Sequence, residues 1–161
     1  MSRANITATT LTFLFTTGLA FAETPGEAAS HAHTAYLDAI NANDHGQVLA
    51  MMTDDVVFIA PNSPAIEGKD AVSPWVAGYF EAFKTRWQKP PVEFVVADDW
   101  AFERYSYRVV DTPRAGGPTL VDTGNGINIY HLEEDGVWRV ARDTWASDQA
   151  LPPTYDGMGP F

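Results

Sequence analysis

At 161 residues and 45% hydrophobic composition, the chain is long enough for one domain with a sizeable core. It contains no cysteine, which excludes disulfides, thiol nucleophiles and thiolate metal sites. Its 21 acidic residues against 10 Lys and Arg, a formal charge of −11, argue against nucleic acid or anionic lipid as a partner, since phosphate is held by Lys and Arg.

The first 22 residues read as a secretory signal peptide. Arg3 gives a short basic start, Leu11 to Phe21 an apolar run too short to span a bilayer comfortably, and Ala20-Phe21-Ala22 a small-x-small cleavage pattern. Cleavage after Ala22 predicts a periplasmic or secreted protein with no membrane attachment. Residues 23–28 read as a flexible leader, and Leu151 to Phe161, rich in Pro and Gly, as a tail; the domain itself is expected over 29–148.

From Ala29 to Asn41 apolar positions recur at three and four, the period of an amphipathic helix. Asp44 with Gln47 three residues on predicts the capped start of a second, short helix to about Met51. Thr53-Asp-Asp55 reads as a turn, Val56 to Ala60 as a short strand, and Ala65 to Glu67 as extended chain before Gly68. Val72, Trp75, Val76, Tyr79, Phe80, Phe83 and Trp87 then predict a long aromatic helix, with Ser73-Pro74 as its N-cap and first residue if it starts late. After Pro90-Pro91 four extended runs follow, Val92 to Ala97, Trp100 to Thr112, Thr119 to Leu132 and Val137 to Ser147, divided by turn residues. Runs joined by short turns must pair antiparallel, so the expected class is α+β, with the aromatic helix on one face of a curved sheet.

Four pieces in this order carry a resemblance: Tyr36 to Asp44 (YLDAINAND), Met51 to Val56 (MMTDDV), Ile66 to Lys69 (IEGK) and Asp135 to Asp148 (DGVWRVARDTWASD). Together they resemble the SnoaL-like branch of the nuclear transport factor 2-like superfamily. That resemblance implies a cone, in which a strongly curved, mainly antiparallel sheet wraps a long helix around an internal cavity, and a homodimer formed through the outer sheet face. It also implies chemistry without a cofactor where there is chemistry at all, because the superfamily holds isomerases, dehydratases, an epoxide hydrolase and cyclases beside transport and assembly modules. Aligned on the first helix, Tyr36 matches the tyrosine that donates to the oxyanion in ketosteroid isomerases, while the general-base position falls at Ala60 and the second oxyanion donor at Asn128. A steroid isomerase of that mechanism is not expected.

Strand alternation sorts the candidate site residues. With Trp145 on the cavity face, the last strand also contributes Ala141 and Asp143, its neighbour Asn128 and Tyr130, and the strand before that Glu103, Tyr105, Tyr107 and Val109. A carboxylate in such a low-dielectric setting suits acid/base work near neutral pH, so Asp143 is the candidate acid or base, with Tyr36 and Asn128 as donors to a substrate oxygen. Glu103, Tyr105, Tyr107, Tyr130 and Trp145 would bind a small apolar or aromatic molecule. A packed cone without chemistry, serving binding or assembly, is the alternative. His31, His33, His45 and His131 lack metal-ligand spacing and read as surface or capping residues. Gly124-Asn-Gly126 reads as a bulge or bend in its strand, and Arg104, Arg108, Arg139 and Arg142 as facing outward.

Overall fold

The computed structural model describes residues 24–149; the proposed signal peptide and residues 150–161 of the tail lie outside the described residues. Among these no helix is long and apolar enough to cross a membrane. The elements run α1 (Pro25–Ala42), α2 (His45–Ala50), β1 (Met52–Ile59), β2 (Ile66–Glu67), α3 (Lys69–Ala82), β3 (Phe83–Gln88), β4 (Pro91–Ala97), β5 (Trp100–Pro113), β6 (Leu120–Leu132) and β7 (Trp138–Ser147).

α1 begins at Pro25, inside the stretch expected to be a flexible leader. The cause is a capping box: Glu27 N–H donates to Thr24 Oγ1 at 3.3 Å, Thr24 N–H to Glu27 Oε2 at 2.9 Å, and Pro25 occupies the first turn where its missing N–H costs nothing. α1 buries Ala29, Ala32, His33, Tyr36 and Ala39 inside the curved sheet. It ends at Asn43, whose left-handed conformation (φ 56°, ψ 38°) suits asparagine.

The seven strands form one sheet in the order β2-β1-β7-β6-β5-β3, with β4 also paired to β5. Every pair is antiparallel except β1 with β7. Thr53 to Asp55, expected as a turn, belong to β1. The turn signal marks an irregularity instead, since pairing with β7 jumps from Met52↔Val140 to Val57↔Arg142 and leaves Asp54 and Asp55 exposed.

The predicted helix to Trp87 stops at Ala82. Phe83 is already extended (φ −129°, ψ 146°), and Phe83 to Gln88 pair with Pro113 to Arg108. α3 starts earlier than Ser73, behind Gly68 at φ 85°, so Pro74 stands exposed in its second turn and leaves the Asp70 carbonyl without its helical donor. Along one edge β5 changes partners, β4 covering Trp100 to Tyr105 and β3 covering Arg108 to Pro113. Lys89 and Pro90 span that change.

The other edge of β3 is sealed by the end of α1. Asn41 donates to Trp87 O at 3.0 Å and accepts from Trp87 N at 2.7 Å, and Asn43 does the same with Thr85 at 3.0 Å each way. Two side-chain amides thus serve as a surrogate strand. Asn43→Ala should cost about 2 kcal/mol, from the lost bonds and the left-handed backbone together. Hydrogen exchange checks this: the Thr85 amide should lose protection well before the β5–β6 amides, and unchanged protection would contradict it.

Gly124 and Gly126 form no bulge, since pairing on both sides of β6 runs through them in register. They are cross-strand partners of Tyr107 and Tyr105, and a Cβ at Gly124 would lie 2.7 Å from the Tyr107 ring. Their role is to let two tyrosine rings lie across bare backbone. The bulge sits instead where Ile129↔Arg142 is followed by Tyr130↔Val140, leaving Ala141 over. That extra residue lets Arg139 and Arg142 both face outward, where they reach Asp135 and Asp55, while Val140 and Asp143 stay buried.

Candidate functional site

Asp143, from the middle of β7, is 5% exposed and is the centre of a buried polar cluster. Tyr36 on α1 donates to its Oδ2 at 2.9 Å, and Tyr105 on β5 to its Oδ1 at 3.2 Å. The Asn128 amide, its cross-strand partner, adds a third bond to Oδ1 at 2.8 Å; its oxygen accepts from Lys89 Nζ at 3.2 Å and lies 3.1 Å from Tyr130 Oη, whose proton goes to Glu103. Its neighbours dictate this orientation, since the reversed amide would turn its oxygen on the carboxylate and its nitrogen on the Lys89 amine. Three of the roughly four acceptor sites of the carboxylate are filled by protein.

Asp143 also lines a half-enclosed pocket of about 50 Å³ together with Tyr36, Tyr105 and Lys89. The remaining wall is mostly aromatic, with Ile40, Val48 and Val76 between the rings. Trp145 meets Phe58, Trp75 and Trp87 edge-on at ring distances of 6.0, 6.2 and 6.4 Å, and Trp75 stacks on Tyr79 at 5.7 Å. At about 30 Å³ per water, the space takes one or two waters or the head of a small molecule.

Of the residues singled out from the sequence, Asp143, Tyr36, Tyr105 and Trp145 line this pocket. Asn128 and Tyr130 are fully buried behind Asp143, so Asn128 orients the carboxylate and cannot donate to a substrate oxygen in this arrangement. Glu103 is sealed deeper still, 2.8 Å from Tyr130 Oη and 2.8 Å from His33 Nδ1. His33, read as a surface or capping residue, is buried, and its Nδ1 and Glu103 Oε1 face each other without a hydrogen bond. Tyr107 donates to Asp122 at 2.8 Å and borders a separate open depression that Lys89 also lines.

Lys89 escapes a sequence reading that treats Phe83 to Trp87 as helix. Read at period two, Phe83, Thr85, Trp87 and Lys89 share the inward face, and Lys89 is 4% exposed. Its Nζ stands 3.9 Å from the Tyr105 ring centroid and 5.3 Å from that of Tyr36. Burial lowers its pKa below the usual lysine value, against the opposing pull of Asp143 and Glu103. Among the described residues no group of three or more His, Asp or Glu is placed to hold a metal ion.

Burial, and after it the Asp143 carboxylate, pushes the Tyr36 and Tyr105 hydroxyls well above the usual tyrosine range; burial and then Glu103 do the same to Tyr130. Above pH 10 the unfolded chain releases these protons and the folded chain keeps them, so stability is full below pH 10 and falls above it, by about 1.4 kcal/mol per pH unit for each tyrosine. Lys89 acts oppositely between its lowered value and about 10.4, where the unfolded chain holds the extra proton and stability rises with pH. Denaturant midpoints measured from pH 8 to 11.5 should therefore hold or rise to pH 10 and then drop steeply; a flat profile would contradict the burial of the cluster.

A buried carboxylate at the foot of an aromatic pocket inside a cone-shaped sheet defines the kind of protein. The SnoaL-like domain profile matches residues 33–141, and the chain belongs to that family. Among solved structures it is similar to a ketosteroid isomerase-like protein from Erwinia carotovora atroseptica SCRI1043, at 28% identity and a TM-score of 0.70, covering 76% of this chain and 95% of that one. At 17% identity and a TM-score of 0.68 it shares the fold of a proposed dehydratase of the NTF2-like family from Streptomyces avermitilis, over 77% of this chain and 96% of that one. At 21% identity and a TM-score of 0.61 it shares the fold of a proposed calcium/calmodulin-dependent protein kinase type II association domain from Thiobacillus denitrificans ATCC 25259, over 74% and 94%. A comparison with curated proteins finds no match.

Proposed function

We propose that this is an exported, cofactor-independent protein that takes a small apolar or aromatic molecule into the aromatic pocket and moves a proton on it with Asp143. The observation that carries this reading is a pocket-lining carboxylate held by Tyr36, Tyr105 and Asn128, with one acceptor site left over. A fixed, water-poor carboxylate needs no reorganisation to accept a proton from a bound molecule. The reaction class is isomerisation, dehydration, cyclisation or hydrolysis. Ala60 follows β1 and is not among the pocket residues, so no second base stands at the position the resemblance gives it.

The second reading is a dimeric binding or assembly module. The observation favouring it is the outer sheet face, which exposes Trp100, Phe102 and Ile127 at 42%, 37% and 39% and would suit a second copy of the chain. Native mass spectrometry of the purified protein, alone and with aromatic and carbonyl compounds added, separates the two. One small molecule per chain supports the pocket reading, whereas a dimer that stays bare throughout supports assembly alone.

A further inference from the structure

We propose that Lys89 is a nucleophilic amine that captures small aldehydes or ketones in the pocket as an imine. The inference goes beyond acid/base chemistry at Asp143: it shares the pocket but adds a covalent step on a different residue.

A buried ammonium needs a carboxylate partner, and among the described residues none lies within 4.0 Å ion-pair distance of Nζ, although Lys69 and Arg104 have such partners at 2.8 and 3.4 Å. What surrounds Nζ is the Tyr105 ring at 3.9 Å, the Tyr36 ring at 5.3 Å and one amide oxygen, Asn128, at 3.2 Å. Two ring faces and an amide oxygen hold an ammonium as well, but burial without a carboxylate in ion-pair reach favours the neutral amine, which donates one N–H to Asn128 and keeps a lone pair. Desolvation is a recognised way to activate a lysine amine, and burial here acts in that direction against the pull of Asp143 and Glu103.

Position adds a second argument. Lys89 falls where β5 exchanges β3 for β4, so no ladder bond holds its stretch flat, and the residue lines both the inner pocket and the outer depression. A carbonyl compound would meet the amine at the pocket wall. In the step, the nitrogen lone pair forms the N–C bond and the carbonyl π electrons move to oxygen. Both protons lost by nitrogen go to that oxygen, the first giving the carbinolamine hydroxyl and the second letting it leave as water when C=N forms. Asp143, in the same wall, is the carboxylate able to carry the proton. The half-enclosed space of about 50 Å³ restricts the reacting head to a short aldehyde or ketone.

Only three lysines are present, Lys69, Lys84 and Lys89, so the test is clean. The folded wild-type chain is incubated at pH 7 with propionaldehyde and cyanoborohydride, which delivers hydride to an iminium, and the resulting secondary amines are located by peptide mass mapping. Lys89 should be alkylated severalfold faster than exposed Lys84, since the fall in its pKa on burial raises the fraction of free amine. Denaturing the chain first should erase the preference. Labelling of Lys89 at or below the rate of Lys84 in the folded protein would overturn the proposal. Trapping at Lys89 without any Asp143-dependent turnover would overturn the acid/base reading and leave this one standing.

Discussion

Replacing Asp143 with Ala should destabilise the fold by about 3–5 kcal/mol, which for a domain of this size lowers the melting temperature by roughly 10 °C or more. The reason is the number of donors that converge on it. Tyr36, Tyr105 and Asn128 would each keep a buried polar hydrogen with no acceptor, and the α1 to β7 and β5 to β7 links would go together. Asp143→Asn should cost less, about 1–3 kcal/mol, since its carbonyl still accepts while its amide meets a hydroxyl that must turn. Thermal melts of the two variants order the effects; an Ala variant as stable as wild type would mean that the three donors find other acceptors at no cost.

Gly126→Ala should be nearly as damaging, at about 3 kcal/mol. Its added Cβ would sit inside the contact radius of the Tyr105 ring and 2.7 Å from the Thr144 carbonyl oxygen. The ring could move, but then its hydroxyl leaves Asp143, and the carbonyl belongs to the β7 backbone. Gly126→Ala combined with Tyr105→Ala should therefore cost less than the two single changes summed, a coupling that a double-mutant cycle reads directly. A wild-type melting temperature for Gly126→Ala would contradict the packing described.

The meander from Pro91 to Ser147 is legible in the sequence, because each strand alternates and each junction carries turn residues that leave few other pairings. The inward set of Asp143, Asn128, Glu103 and Tyr105 follows from the same alternation, and these residues share one buried face. The chain before Pro91 is harder to read. Tyr79, Phe80, Phe83 and Trp87 fit a helical period, while Phe83, Thr85, Trp87 and Lys89 fit a strand; the pairing of β3 with β5 decides between them, and no local signal reports it. With that period misassigned, Lys89 disappears from the site.

Depth is the second thing alternation cannot give. It places Asn128 and Asp143 on one face but not one behind the other, so Asn128 reads as a substrate donor when it is a buried support for the carboxylate. His33 is missed because Glu103, seventy residues away in the chain, is what it meets. The capping box at Thr24 was open to a sequence reading: Thr-Pro-Gly-Glu carries both the cap and the proline that belongs in a first turn.

Asp143 is proposed to move a proton on a molecule held in the pocket. This is tested most directly by incubating the folded protein in D₂O with a carbonyl compound found to bind, and following deuterium entry beside the carbonyl by NMR. Wild type should exchange that position, and Asp143→Asn, checked to be folded at the assay temperature, should be slower by about 10²–10⁴-fold, the usual contribution of a general base. Equal exchange rates in the two proteins would contradict the claim.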